Sequence, residues 1–475
     1  MRIDRGSDLG RDAVLRIAAG APVELSSELL EALAASRAAV LDALSGAGPV
    51  YGVSTGMGAM AGIALEARAR AVHQENLVVG RAVGSAPWLP PEAARAVLAV
   101  RLRTFLHPEA GVSPELCTRL ADLLNERFHP PIPLRGNGAA GEIIPLAHLG
   151  AVVLGLGEAL DGRRAEPFTF GPKEGVACLE GVPVATALAI RQVADAELLA
   201  DQAEFVLAAT SEVLRASPDP LHPAASRADA VLAAVHARVL DLRPGGDVHG
   251  LQAPVSVRVG ANACALLRRR TGALGEAADR ALEGVSDSPA FLDGEFTGTA
   301  GFAGTELAAG SDALTAALVH LADTSVARTH RTLDPRLTGL PPQLSPEPGV
   351  QAGLVAVHKR AVGTAHRLRR LAAPALLGAV ETSLGQEDVQ SFGLEAAECL
   401  EEALAGVREV LAVELLAVHR ARVLRGGFAG VSAELTAALD VVAGELGPDP
   451  ADRPYGADVD RVVALLTDRW PQPRS

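Results

Sequence analysis

Long segments rich in alanine and leucine dominate the chain from about residue 190 onward, and each is bounded by glycine or proline. Alanine and leucine are strong helix formers, whereas strands favour β-branched and aromatic residues. Hydrophobic residues make up 49% of the chain but aromatic residues only 3%, so alanine, leucine and valine supply the apolar surface. We therefore predict an all-α fold.

The predicted long helices are too apolar to be covered within one chain, so their pattern indicates bundle packing and oligomerisation. No repeat and no long low-complexity linker separates domains. We expect an N-terminal part over 1–190 and a long-helix bundle over 191–475, together forming one continuous globular unit. The predicted helices cover 187–216, 225–241, 252–283, 304–331, 349–380 and 393–424.

The composition limits the kinds of molecule that this protein is expected to bind. The net charge of -14 argues against nucleic-acid binding, which needs clustered basic residues. The four cysteines are scattered without metal-ligand spacing, so we predict no metal and structural thiols in a reducing compartment. The N-terminus lacks the apolar run of a signal peptide, and 143–156 comes nearest to a membrane-spanning stretch without reaching its length. We expect a cytoplasmic protein that binds a small molecule and neither nucleic acid nor membrane.

Three segments carry an informative pattern. Residues 135–148 read Arg-Gly-Asn-Gly-Ala-Ala-Gly-Glu-Ile-Ile-Pro-Leu-Ala-His, residues 51–58 read Tyr-Gly-Val-Ser-Thr-Gly-Met-Gly, and residues 382–388 read Thr-Ser-Leu-Gly-Gln-Glu-Asp. These segments resemble the histidine, phenylalanine and tyrosine ammonia-lyase and aminomutase family. The resemblance runs from residue 51 to about residue 424. It implies a central bundle of long antiparallel helices and a homotetramer whose sites are shared between subunits.

The resemblance breaks at the residues that form the family's prosthetic group. In that family an Ala-Ser-Gly tripeptide cyclises, and loss of the serine hydroxyl creates the electrophile 4-methylidene-imidazol-5-one. The corresponding residues here are Ala139, Ala140 and Gly141. Alanine has no β-hydroxyl to eliminate, so we expect a vestigial segment, no methylidene-imidazolone and no other cofactor. Ordinary ammonia elimination should be severely impaired.

Three residues inherit substrate-facing positions. The resemblance places Tyr51 at the family's general base; a phenol with an ordinary pKa of about 10 needs a positive field for that role. The alternative is a packing tyrosine in a glycine-rich turn. Arg81 stands where the family has a histidine or an equivalent against the substrate ring, and a guanidinium suits a carboxylate or phosphate. A solvated helix arginine is the simpler alternative. Gln386, in the retained 382–388 motif, is assigned to substrate binding.

At four further positions this chain has a different residue type from the family. Glu180 replaces an asparagine, and we expect a carboxylate that is a new general base, a cation anchor or a structural residue. His249 and Gln252 stand where the family has a tyrosine and the arginine that clamps the substrate carboxylate, and glutamine cannot form a bidentate clamp. His249 either transfers protons near neutral pH or makes a loop contact to the backbone. His358 falls at a site-facing glutamine and is assigned to substrate binding.

These polar substitutions occur together while the glycines and prolines stay, which favours natural divergence. We predict an enzyme of specialised metabolism that uses proton transfer for elimination, cyclisation or conjugate addition on a small anionic substrate. One alternative is a true ammonia-lyase or aminomutase seen as an inactive Ser-to-Ala variant. Another is a non-catalytic protein that retains the tetramer. A pocket with convergent polar groups favours an enzyme, and an unfilled or closed cavity favours the non-catalytic protein.

Overall fold

The computed structural model describes residues 1–46 and 48–471. Within these ranges the secondary structure is mainly helical, which confirms the predicted fold class. Two short strand pairs accompany the helices. Strands β1 (Arg2–Ile3) and β2 (Glu24–Leu25) pair in parallel, and strands β3 (Ala290–Leu292) and β4 (Glu295–Thr297) pair antiparallel.

The chain forms two compact units, and each contains segments that are distant in sequence. Unit 1 comprises Met1–Arg191, Leu274–Ser311 and Pro374–Glu398. Unit 2 comprises Gln192–Ala273, Asp312–Ala373 and Cys399–Ser475. The expected division near residue 190 ends the first segment of unit 1, but the structure adds two later segments to that unit. Residues around 287 and 387 therefore belong with the N-terminal part.

Unit 1 contains short and medium helices whose starts follow local sequence signals. Helix α5 begins at Pro114, and its N-cap Ser113 accepts the N–H of Leu116 through the side chain. Such a cap satisfies one of the free N–H groups at the start of a helix. The helices are α1 (Arg11–Ala18), α2 (Ser27–Gly46), α3 (Ala67–Val79), α4 (Pro91–Phe105), α5 (Pro114–Asn125), α6 (Ile143–Val153) and α7 (Glu174–Leu179).

The remaining helices include the longest ones. Four contain residues of both units: α8 (Pro183–Val213), α11 (Gly260–Glu283), α12 (Thr305–Thr332) and α15 (Gly393–Arg425). Unit 2 also contains α9 (Ala230–Leu242), α10 (Val255–Arg258), α13 (Pro335–Thr338), α14 (Val355–Leu368), α16 (Ala433–Leu446) and α17 (Gly456–Thr467). Its interior holds a buried ion pair in which Arg328 contacts Glu414 at 2.7 Å.

Two predicted helices were wrong in extent. The segment 252–283 is divided between α10 and α11, and Gly260 begins α11 where an added Cβ would lie 2.4 Å from Leu207 Cδ1. The helix predicted over 349–380 is α14, which ends at Leu368 and is followed by a single 3-10 turn. Pro374 follows, and proline disfavours helical backbone in the residue before it.

One stretch longer than 143–156 is apolar on average, although charged residues such as Glu180 and Arg191 interrupt it. The stretch Glu174–Val213 passes a length and hydropathy test for a membrane span. However, 94% of its most apolar window is buried inside the structure. Its apolar side chains are therefore covered by protein, as expected for a core helix.

Candidate active site

An open cavity of about 1280 Å³ in unit 1 brings most of the predicted site residues together. Its lining comes from seven places in the sequence: the end of α2 with the residues that follow it, the 51–60 loop, the end of α3, the 138–144 segment, the end of α7, and the loops around 288–302 and 382–387. The predicted residues that line it are Tyr51, Arg81, Ala139, Ala140, Gly141, Glu180 and Gln386.

Tyr51 is held by its own loop. Gly52 and Gly58 have φ angles of +66° and +62°, a backbone region that favours glycine. This turn lets the Gly58 N–H donate to the Tyr51 hydroxyl oxygen at 2.8 Å. Burial nevertheless raises the pKa of Tyr51, as do Glu180 and Glu387, against the lowering effects of the Gly58 N–H and Arg81. The phenol is therefore protonated at neutral pH, and the predicted base must first lose its proton.

The buried amide of Gln74 ties the Tyr51 loop to α7. Its side-chain N–H donates to the Gly52 carbonyl at 3.0 Å. Its side-chain oxygen accepts the N–H groups of Gly175 and Val176 at 3.0 and 3.2 Å. Helix α7 ends at Leu179, directly before Glu180. The Gln74 side chain therefore connects the loop of Tyr51 to the helix that leads into Glu180.

The contact between α3 and α7 requires glycine at position 175. A Cβ added to Gly175 would lie 2.0 Å from the backbone oxygen of Gln74. We expect Gly175→Ala to lower the free energy of unfolding by about 1–3 kcal/mol, measured by denaturant titration, because the two helices must separate. Gly272→Ala is the control, since nothing lies within 4 Å of its added Cβ in α11. An unchanged stability of Gly175→Ala would contradict the close contact.

Two hydrogen bonds to side chains hold the 139–141 segment in place. The Ala140 N–H donates to Glu387 Oε2 at 2.7 Å, and the Gly141 carbonyl accepts from the Asn137 side chain at 2.9 Å. Glu387 Oε1 accepts the Ser383 hydroxyl at 2.8 Å, so both carboxylate oxygens have partners. Helix α6 begins at Ile143, and its N-terminus contributes positive potential at this wall of the cavity.

Glu180 is a buried acid whose backbone is fixed by Arg101. The Arg101 guanidinium donates to the Ala177 carbonyl at 3.2 Å and also to the Glu180 carbonyl. Burial, then the charge of Asp287, raises the pKa of Glu180 to about 8. Burial therefore favours the protonated form of Glu180, in contrast to the expected carboxylate, and the protonated form can donate a hydrogen bond.

Arg81 supplies positive charge to the same cavity. Its Nη1 donates to the Leu77 carbonyl at 3.1 Å, which holds the guanidinium at the end of α3. Burial lowers its pKa, while Tyr51, Glu387 and Glu180 raise it, so all four side chains act on one another electrostatically. An anion placed beside Arg81 would relieve the cost of burying its charge.

Three predicted residues lie elsewhere, in unit 2, and their site roles stay predictions. His249 is exposed, and its backbone N–H donates to the Arg215 carbonyl at 2.8 Å. Gln252 is also exposed and accepts from Arg258 at 3.0 Å. His358 lines a separate cavity of about 700 Å³, where its ring lies 5.1 Å from that of His330.

The sequence analysis missed Glu387 as a site residue, although it lies beside Gln386 in the retained 382–388 motif. It also missed Phe302, whose ring lines the cavity in the segment 301–304. A charged residue inside a retained motif was the available signal for Glu387. Across residues 1–46 and 48–471, no cluster of three or more histidine, cysteine, aspartate or glutamate side chains could hold a metal ion.

Comparisons with known proteins agree with the resemblance. The family described as aromatic amino acid lyase matches residues 9–443. Histidine ammonia-lyase from Streptomyces coelicolor is 34% identical over 483 positions, covering 95% of this chain and 94% of the relative. Histidine ammonia-lyase from a Geobacillus species is 32% identical and covers 84% of each chain.

Solved structures give the same result. Tyrosine aminomutase from Streptomyces globisporus superposes with a TM-score of 0.92 at 27% identity, covering 98% of this chain and 97% of that chain. Histidine ammonia-lyase from Trypanosoma cruzi superposes with a TM-score of 0.89 at 25% identity, covering 98% and 93%. Both likenesses extend over nearly the whole chain.

Proposed function

We propose, from the premise that the chain belongs to the aromatic amino acid lyase family, that it is a divergent enzyme of specialised metabolism acting without methylidene-imidazolone. It catalyses a proton-transfer-driven elimination, cyclisation or conjugate addition on a small anionic substrate. The observation that carries this proposal is the gathering of Tyr51, Arg81 and Glu180 around one cavity. Convergent polar groups in a pocket are typical of a catalytic site.

The residues of the tripeptide do not fit the family's prosthetic group. The side chain of Ala140 is a methyl group, so no oxygen can leave from its Cβ. Glu180 stands where the family has an asparagine that contacts the group. No catalytic step is therefore assigned to an electrophile on residues 139–141.

The proposed reaction therefore uses three groups of the protein: a base, an acid and a cation. The Tyr51 phenolate removes a proton from substrate carbon, and the protonated Glu180 delivers one to the leaving group or to the developing oxyanion. Arg81 pairs with the substrate anion, and Phe302 provides an apolar wall. Because no protein electrophile activates the substrate, its reacting C–H bond must already be acidic, as it is beside a carbonyl group.

A hydrogen–deuterium exchange experiment tests this function. Small carboxylates that carry a C–H bond beside a carbonyl group are incubated with the protein in D₂O and followed by NMR. Enzyme-dependent exchange at that carbon supports the proton-transfer activity. No exchange with any member of the panel, together with no turnover of histidine, phenylalanine or tyrosine, favours the non-catalytic alternative.

The second candidate is an ordinary ammonia-lyase or aminomutase, favoured by the histidine ammonia-lyases among the relatives. The two candidates differ in the mass of the purified protein. We expect the intact mass to equal that of the unmodified chain, because Ala140 offers no leaving group. Ala140→Ser is the matched variant, since it restores the hydroxyl. Loss of two water molecules from the native 139–141 peptide would contradict the proposal.

We also propose a homotetramer whose sites are shared between subunits. Several large apolar side chains are exposed in the single chain, including Leu251 at 94%, Leu384 at 97% and Leu377 at 72%. Leu251 neighbours His249 and Gln252, so a second copy that covers it would bring these polar residues to an interface. The cavity also exceeds the range of about 300–1,000 Å³ that ligand pockets usually occupy, which suits closure by a partner.

Sedimentation equilibrium at micromolar protein concentration tests the assembly. We expect a tetramer, and we expect Leu251→Glu to shift the protein to smaller species because a charge would be buried at the interface. Leu41→Glu is the control, placed on α2 at a side chain that is 41% exposed. A stable native monomer would contradict the assembly.

A further inference from the structure

We propose that Asp287 passes protons between Glu180 and a water molecule held in a second, smaller cavity behind the candidate site. The proposal rests on the proposed role of Glu180 as the acid, and it adds a proton route that does not use the open mouth of the large cavity. Three observations in unit 1 carry it: a buried cluster of charges, a cavity of suitable size and unsatisfied polar atoms that line it.

The charge cluster lies directly behind Glu180. The fully buried Lys173 donates to the Ala110 carbonyl at 2.6 Å and forms an ion pair with Asp287. Among the charged groups around Glu180, Asp287 has the largest effect on its pKa. The other charged groups that act on Glu180 are Lys173, Arg101 and Glu387. Arg101 connects the two acids, because it donates to the Glu180 carbonyl and lines the small cavity beside Asp287.

The two sides of this cluster face different cavities. Glu180 and Ser288 line the large cavity, whereas Asp287 lines a small cavity of about 20 Å³ together with Arg101, Thr104, His107 and Glu109. A water molecule needs roughly 10–15 Å³ and two or more polar partners. The small cavity satisfies both requirements.

Two of its lining residues carry a buried polar atom that lacks a partner. Arg101 Nε and Glu109 Oε2 are buried and have no hydrogen-bond partner among residues 1–46 and 48–471. Buried polar atoms in native proteins are nearly always satisfied, often by an ordered water. One water in this cavity would accept from Arg101, donate to Glu109 and contact Asp287.

His107 links the small cavity to solvent. Its side chain is 23% exposed, and its Nδ1 lies 3.9 Å from Glu109 Oε2. Nε2 lies 2.6 Å from Arg103 Nη1 and 3.0 Å from the Leu282 carbonyl oxygen, so this ring nitrogen stands between a donor and an acceptor. An imidazole can take up and release protons through its ring nitrogens.

Each group regains its starting protonation state in one turnover. Glu180 gives its proton to the leaving group and becomes a carboxylate. A proton from solvent enters through His107 and reaches the water, the water passes a proton to Asp287, and Asp287 passes a proton to Glu180. Lys173 stays an ammonium ion throughout. The proton that Tyr51 removes from the substrate leaves separately through the open mouth.

Proton exchange at Glu180 can be measured without any substrate, so this test is independent of the proposed reaction. Infrared difference spectroscopy after a pH jump follows the carboxylic acid C=O band, assigned by its absence in Glu180→Gln. We expect Asp287→Asn to slow this exchange about 10²-fold, the lower end for loss of a proton-transfer group. Each variant is compared at its own titration midpoint, because removing Asp287 also changes that midpoint.

Glu31→Gln is the matched control, since this acid is exposed on α2 and does not line the small cavity. His107→Gln is the second variant, usable if Asp287→Asn does not fold, and it should slow exchange as well. Native exchange rates in both variants would overturn the relay. A high-resolution crystal structure without water between Arg101 Nε and Glu109 Oε2 would also overturn it.

Discussion

Replacing Tyr51 by phenylalanine is expected to lower turnover about 10²–10⁴-fold while leaving substrate affinity nearly unchanged. The substitution deletes only the hydroxyl that takes the proton, and the ring keeps its place in the glycine-rich loop. The measurement is the rate of C–H exchange into D₂O for a carboxylate that the native protein turns over, together with its Kd. Full activity in Tyr51→Phe would contradict the assignment of Tyr51 as the base.

The pH profile of the native enzyme checks the same assignment. Activity requires deprotonated Tyr51, whose pKa lies above its ordinary value of 10.0, and protonated Glu180, whose pKa is about 8. The fraction of enzyme that has both groups in these forms is largest between the two pKa values. Activity should therefore rise to about pH 8 and fall only above pH 10. Tyr51→Phe should abolish this alkaline maximum.

Arg81→Ala is the contrasting variant for Tyr51→Phe. It removes a cation rather than a proton acceptor, so it should weaken binding of the same carboxylate by about 1.5–3 kcal/mol, as for a lost charged hydrogen bond. Isothermal titration gives the Kd values. Unchanged binding would place the substrate anion elsewhere in the cavity.

Replacing Glu180 by glutamine is expected to make the protein more stable at alkaline pH. The pKa of Glu180 rises from 4.5 to about 8 on folding, so between these values the folded state holds a proton that the unfolded state releases. Stability is then fully present below about pH 4.5 and is lost as the pH rises to 8. The difference is on the order of 2–5 kcal/mol, and glutamine removes it because it carries no charge at any pH.

The measurement is the free energy of unfolding of both proteins from pH 5 to pH 9. The native protein should lose stability over this range, and Glu180→Gln should lose less. A residual slope is expected, because burial also raises the pKa of Glu142 to about 7. Glu31→Gln, an exposed substitution on α2, is the control and should keep the native slope. Parallel slopes for native and Glu180→Gln would contradict the buried acid.

Much of the fold was predictable because its determinants are local. Alanine-rich and leucine-rich segments predicted the long helices, and prolines and capping residues set several of their starts, as Ser113 and Pro114 do for α5. The predicted bounds were wrong for 252–283, which is divided between α10 and α11, and for 349–380, where α14 ends at Leu368. Leu207 lies close to Gly260, where α11 begins, and the sequence around 260 contains no sign of that neighbour.

The candidate site was predictable where it depends on family motifs. Tyr51, Arg81, Glu180 and Gln386 were found from their motifs and line one cavity. Glu387 was overlooked because its role depends on a contact with Ala140, which is 247 positions away. His249, Gln252 and His358 were assigned by resemblance, and in the single chain they lie in unit 2.

The fold class, the family and the absence of a β-hydroxyl at Ala140 could all be predicted from the sequence alone. These properties follow from local backbone preference, retained motifs and covalent structure, all of which can be read along the chain. The pKa values of Glu180 and Tyr51 depend instead on the fold, because burial raises both of them. A pKa depends on burial and on charges that meet in space, and Lys173 meets Asp287 across 114 positions of sequence. The sequence shows which ionisable side chains are present, but folding determines the distances between them and removes the water around them.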